Sequence, residues 1–504
     1  MSNEFQTLPR DENQARGLAQ YALDFVAGRS GGPSTAVLAK VEQFHTDAVA
    51  CGVSALGCGA HAPLVLRREA LDYRDKAGVP CFGSTVRVKP EKAVLACSSA
   101  VREWDANGTN FGYNPARGHT RGEFGHNDFY PVAVAAAQQA GVDGAVLARA
   151  MICLDEIRGR LAEVFALKDH RIDHVLHGAI ASAAVYGAVL GASVDQIESA
   201  LGLVVAHYVP FRAIRAGKQL SDSKGASAAI SAEMAVQCVH RAMRGFVGPA
   251  DIFRNPQAVF CLFEPPDRPG RSPFELTLAT AGDDFAVMGM HFKLGIYEHQ
   301  SAGAIAALID LLRKQPELLD DPAQLERVEV AIYEPAYGII CDPAKRDPQT
   351  RQSADHSLYY ILATLLRKAY AQQSAGWREL MLVPRDYDTA SLHDATTREI
   401  MSKIDVRHGG RDYDEKYPDG IPTSIVLHHR RLGAIDSGLV MYPQGHARNE
   451  SGDLERLLTH KFGVFAAMGV DDPDALAKRL SGIREKTAGQ VAELYDFSIR
   501  GLDK

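Results

Sequence analysis

Apolar residues recur at helical spacing from about residue 12 to 60, first at Ala15, Leu18, Ala19, Tyr21, Ala22 and Phe25, then at Val37, Val41, Phe44 and Val49. Positions three and four apart share one face of a helix, so the pattern predicts two amphipathic helices separated by the polar loop 28–34. Residues 132–167 and 175–206 carry further apolar helices. The last of these opens with Ser193 followed three later by Gln196, a capping-box pair. Small residues occupy several faces here, as in Ala179-Ile180-Ala181-Ser182-Ala183-Ala184, and the stretch after Lys224 continues the style. Close approach of such helices predicts a large, densely packed all-helical domain.

From about residue 273 the period shortens to two: Phe274, Leu276 and Leu278, then Val328, Val330 and Ile332, then Ile425 and Leu427. These strands alternate with helices near 304–312 and 359–367 and with the loops DPAKRDPQ and YPDGIPTS. After about 455 the pattern is helical again, ending in a polar helix near 472–495. The expected fold class is therefore mainly α with a smaller α+β domain. Residues 1–288 form the large helical domain, rejoined by 455–504, and residues 289–454 form the smaller α+β domain.

Composition narrows the function. The 504 residues are 46% hydrophobic, enough for a large core, and the net charge of -7 offers no basic field for a nucleic-acid backbone. The polar start MSNEFQTLPRDENQ lacks the features of a secretory signal, and no apolar run approaches the roughly 20 residues that span a bilayer. The chain reads as cytoplasmic, with neither nucleic acid nor membrane as a partner. Eight cysteines without CxxC spacing read as buried free thiols. GxGxxG before a helix, GxxxxGK[ST], HExxH and a strand-to-helix GxSxG elbow are all absent.

The candidate chemistry is a scatter of polar residues in apolar or small-residue settings. The segment VREWDANGTNFGYNPARGHTRGEFGHNDFYP reads as a long loop that brings Asp105, Thr109, His119 and His126 within reach of one another. Asp105 is of the type that orients or charges a histidine. His174 and His177 stand where a polar loop becomes an apolar helix; no third ligand of matching type lies nearby, so one acid/base histidine with a bystander fits better than a metal pair. Lys224 begins a helix, where an ammonium is unfavourable unless an anion binds, and Arg212, Arg215 and Lys218 upstream add charge suited to carboxylates. Lys293 lies between an apparent strand and a helix N-terminus.

Taken in order, these segments resemble the MmgE/PrpD family. Asp105-Ala106-Asn107-Gly108-Thr109 is similar to its DFDDT or DFNDT segment, and Gly125-His126-Asn127-Asp128 to its HPS-like turn. EIRGRLAEVFALKDHRIDHVLHGAIASAAVYGAVLG resembles the helix and active-site histidine that fall on His174, and SDSKGASAAISAEMAV the active-site lysine that falls on Lys224. FKLGIYEHQSAG matches a lysine segment at Lys293, and SADHSLYYILA places a pocket tyrosine at Tyr360. YPQGHARNESGDLERLLTHKF resembles the YPxGHARR segment of the family's dehydratase branch. Gly108, Asn127 and the segment after Lys293 depart from the family pattern, which is expected to alter a pocket wall.

The resemblance implies a homodimer of helical domain and α+β lid, with the site between them and no metal or cofactor. It implies dehydration of a di- or tricarboxylate substrate, 2-methylcitrate to 2-methyl-cis-aconitate. Asp105, His126, His174 and Lys224 would be catalytic, and Thr109, Lys293, Tyr360, Arg212 and Arg215 substrate-binding. Acid and base are not assigned. Decarboxylation of cis-aconitate, isomerisation or epimerisation of another polycarboxylate, and non-catalytic carboxylate binding are the alternatives.

Overall fold

A computed structural model describes residues 4–215 and 220–502. The first part of the chain folds as helices α1 (Gln14–Val26), α2 (Thr35–Gly57), α3 (His61–Asp72), α4 (Pro90–Arg102), α5 (Tyr130–Ala140), α6 (Gly144–Val164), α7 (Val175–Val189), α8 (Val194–His207) and α9 (Asp222–Met243). All of α7 is buried, and it packs on α1, α5, α6, α8 and α9. Its small residues are what such crowding demands: a Cβ on Gly178 would stand 2.2 Å from the Phe129 ring. Helix α8 opens with the expected capping box of Ser193 and Gln196.

The alternation at 274–278 gives a strand that belongs with the helical unit. Leu276–Ala279 pairs antiparallel with Phe5–Leu8 and packs on the helical unit, with Leu276, Leu278 and Ala279 in the same apolar cluster as α1 and α6. The second unit is built on a four-stranded sheet in the order Ile404–His408, Leu325–Ile332, Thr423–His429 and Gly433–Asp436. Its first pair is parallel and the others antiparallel. Helix Ala302–Lys314 covers the strand Thr423–His429 and also meets Leu358–Gln372.

Two apolar clusters result. One joins α1–α9 to tail residues such as Leu480 and Tyr495, while the other runs from Leu294 to Phe465 and also takes in Ala50, Cys51 and Ala55 of α2. The expected polar helix at 472–495 divides into Pro473–Leu480 and Ala488–Ala492. Gly482 turns the chain at φ +61°, and Thr487 and Gln490 form a new capping box.

Helix Leu454–Ala466 crosses between the two clusters and carries the buried Lys461. Its ammonium meets the Asp47 carboxylate at 2.6 Å, the Ala106 carbonyl at 2.6 Å and the Lys293 carbonyl at 2.8 Å, which uses all three of its donors. One side chain thus ties α2, the loop after α4 and the segment around Lys293 to helix Leu454–Ala466. All eight cysteines are unpaired and seven are buried; Cys58 is exposed. Among the described residues no single helix is long and apolar enough to cross a membrane.

Candidate active site

The segment between α4 and α5 is a short ribbon rather than an irregular loop. Thr109–Phe111 pairs with Glu123–His126, with Thr109 opposite His126. Thr109 also exchanges backbone hydrogen bonds with His291 (2.9 and 2.8 Å), which fixes Lys293, two residues on, against Asp105. Asp105 has φ +53°, a left-handed conformation uncommon outside glycine and easiest for Asp and Asn. Holding it there costs about 1 kcal/mol or more, and it turns the carboxylate back toward the end of α4.

That carboxylate is the hub of the site. Arg102 pairs with it at 2.7 Å and Lys224 at 3.1 Å, while Lys293 bonds both its carboxylate and its backbone carbonyl, the latter at 3.0 Å. Burial opposes ionisation of Asp105, but Arg102, Lys224 and Lys293 together outweigh it and hold the carboxyl well below the usual range. Lys224, in the first turn of α9, also lies 3.2 Å from buried Asp355. Burial brings Lys293 down to about 8 against the pull of Asp105, and burial followed by the neighbouring Asp105 charge raises Glu298 to about 7.

These groups line a cavity of about 540 Å³ between the helical and α+β units. Arg212 and Lys345 add cations to its wall, and Phe124, Leu220 and Ile339 supply apolar surface. His126, His174, His299 and His356 supply imidazoles. Arg102 donates to His126 Nε2 at 3.2 Å; a guanidinium has no acceptor, so the ring carries its proton on Nδ1, which has no hydrogen-bond partner among the described residues. Burial, then Arg102 and Lys293, keep His126 neutral by holding it well below its ordinary value. The His174 ring, at the start of α7, lies 5.2 Å from that of His126.

Asp105, Thr109, His126, His174, Lys224, Lys293 and Arg212 are therefore brought to one cavity. Tyr360 is not. It is fully buried in helix Leu358–Gln372 and donates to the Asp386 carbonyl at 2.6 Å, because its face of the helix turns to the core of the α+β unit. The side chain of Arg215, like Lys218, falls outside the described residues. His119 sits at the far end of the ribbon, 3.0 Å from Glu163, and His177 is buried on the core side of α7. Lys293 lies in an irregular stretch rather than at a helix start. The histidine beside Asp105 is neither His126 nor His174 but His356, at 3.5 Å.

Sequence reasoning passed over Arg102, Glu298, His299, Lys345 and the Asp355–His356 pair. The last had a signal, an adjacent acid and imidazole just before the Ser357 helix cap. Asp105, Asp355 and His356 are the one group among the described residues whose donor atoms, all within 4.8 Å, could share a cation. The Lys224 ammonium already bridges its two carboxylates.

The departures at Gly108 and Asn127 belong to the scaffold and not to the cavity wall. A Cβ on Gly108 would come within 2.4 Å of Phe44, whose ring stacks on Phe292 at 3.9 Å. Asn127 donates to the Phe44 carbonyl at 2.8 Å. The GHAR segment also acts from outside the cavity: His446 stacks on His291 at 4.0 Å, and the Ala447 N–H donates to His291 Nδ1 at 2.9 Å. It braces the irregular stretch that carries Lys293.

A helical core, an α+β unit and a cavity ringed by cations and imidazoles together define a class. Residues 17–270 match the MmgE/PrpD N-terminal domain and residues 297–480 the MmgE/PrpD C-terminal domain, so the chain belongs to the MmgE/PrpD family. It is similar to 2-methylcitrate dehydratase of Escherichia coli (strain K12), 22% identical over 81% of this chain and 83% of that protein. A 2-methylcitrate dehydratase of Salmonella typhi is 22% identical over 82% and 84%. Alkylcitrate dehydratase phiI of Fungal sp. (strain ATCC 74256) is 22% identical over 68% of this chain and 65% of its own.

Proposed function

We propose that this hydro-lyase dehydrates a tricarboxylic hydroxy acid, 2-methylcitrate or a close alkyl analogue, to the corresponding alkene. The observation that carries the reading is the convergence of Lys224, Lys293, Arg212 and Lys345 with four imidazoles on one cavity. Cations at that density suit a substrate with several carboxylates, and the apolar Phe124, Leu220 and Ile339 suit its alkyl substituent.

Elimination removes a proton α to a carboxylate and protonates the departing hydroxyl. Lys224 is placed to neutralise that carboxylate and the charge that grows as the proton leaves. His126 is held neutral with its proton on the buried Nδ1, and surrendering that proton would leave an imidazolate, so it is not the acid. Lys293 is the better acid. Asp105 accepts two of its bonds and leaves one N–H for the substrate, and a value of about 8 makes transfer feasible near neutral pH. Asp105 then serves as the fixed counter-charge of the lysines, and His174 completes the wall beside His126.

The reading is tested by incubating purified protein with 2-methylcitrate, longer alkylcitrates, citrate and cis-aconitate while following alkene absorbance and CO2 release. Alkene from an alkylcitrate without CO2 is expected; CO2 from cis-aconitate would replace the reading with decarboxylation. The enzyme is expected to work as a homodimer and to keep its turnover after dialysis against EDTA.

A further inference from the structure

His356 lines the cavity with Asp355 behind it, and the pair has no part in the scheme above. Asp355 is fully buried, and its Oδ1 receives His356 Nδ1 at 2.6 Å. It is itself held by Lys224 at 3.2 Å and by Arg351 at 3.0 Å, and Arg351 is anchored in turn on Glu103 at 2.5 Å. A carboxylate so fixed accepts the Nδ1 proton and leaves the lone pair of a neutral ring on Nε2, the arrangement that orients a catalytic imidazole through a buried aspartate. The ring is part of the cavity wall, its side chain 13% exposed.

We propose that His356 is the general base of the elimination, oriented by Asp355. This rests on the dehydratase reading. Nε2 takes the proton α to the carboxylate bound at Lys224, and the C–H electron pair becomes the new C=C bond. The C–O pair leaves with the hydroxyl oxygen, which takes a proton from Lys293 and departs as water. His356 becomes an imidazolium and later releases its proton to solvent, from which the neutral Lys293 amine regains one. Asp105 Oδ2, 3.5 Å from Nε2, stabilises the charge the ring acquires, while Lys224, shared by Asp105 and Asp355, sits where charge develops on the substrate. Base and electrophile thus lie side by side on one carboxylate pair. Burial and then Lys224 bring His356 down to about 4, so the ring is in its basic form at neutral pH.

The test uses full-length His356→Gln and His356→Ala, checked for folding by circular dichroism. Loss of about 10²-fold or more in kcat with KM within threefold is expected, as is partial rescue of the alanine variant by added imidazole in proportion to its free base. A purely structural role would not give that rescue. In the parent, initial rates after a pH jump should show the acid limb of kcat/KM near 4, which holds whether or not the variants fold. Turnover of His356→Gln within fivefold of the parent, or an acid limb at 6 to 7, overturns the assignment while leaving the dehydratase reading intact. Absence of turnover by the parent on every alkylcitrate overturns both.

Discussion

Replacing Lys461 by methionine tests how the site is held together. The ammonium is fully buried and satisfies Asp47 and the carbonyls of Ala106 and Lys293, so methionine fills much of the volume while leaving three acceptors bare. Breaking a buried ion pair from one side costs about 3–5 kcal/mol, since the partner charge stays buried. At the roughly 2 °C per kcal/mol suited to a large domain, the melting temperature should fall by about 6–10 °C. Scanning fluorimetry measures this, with urea unfolding as a check. Ala106 and Lys293 flank the Asp105 hub, so kcat should fall as well. Removing the charge left behind, in Lys461→Met with Asp47→Leu, should restore part of the stability, because the stranded carboxylate is gone while the two carbonyls are still bare. A single variant that melts within about 2 °C of the parent would refute the idea that Lys461 unites these segments.

Asp105→Asn should abolish turnover and flatten the acid-stability curve. The folded carboxyl is depressed below its ordinary value near 3.9, so its contribution is fully present above that pH and lost as pH falls through the folded value; the variant lacks this loss when melting is followed between pH 5 and 2. With Lys293 at about 8, kcat/KM should decline above that pH as the ammonium deprotonates, and Lys293→Arg should move the limb upward, visible in rates from pH 6 to 10. Gly108→Ala should lower stability by about 1–3 kcal/mol in urea titrations through overpacking against Phe44, with KM within twofold of the parent because the residue does not line the cavity.

The helical texture, the capping of α8 and the change to period two after residue 273 were all legible from local pattern, because burial repeats at the period of the element that produces it. So were the titratable residues of six separated segments, once read together. What each touches was not. His177 is of the same residue type as the cavity imidazoles and Tyr360 carries a hydroxyl suited to a carboxylate, yet the rotation of their helices turns both to the core. Arg102 and Lys461 look like ordinary helix cations, and they are revealed only by partners that lie 3 to 414 positions away in the chain.

The amino-acid order by itself determined the elements, the family and the supply of acids, bases and cations. The tertiary structure alone decided that Asp105 faces three cations, that His126 carries its proton on Nδ1, and that Asp355 and His356 join the site. Protonation and orientation depend on burial and on charges a few ångströms away, and those distances are set by packing between segments far apart in the chain.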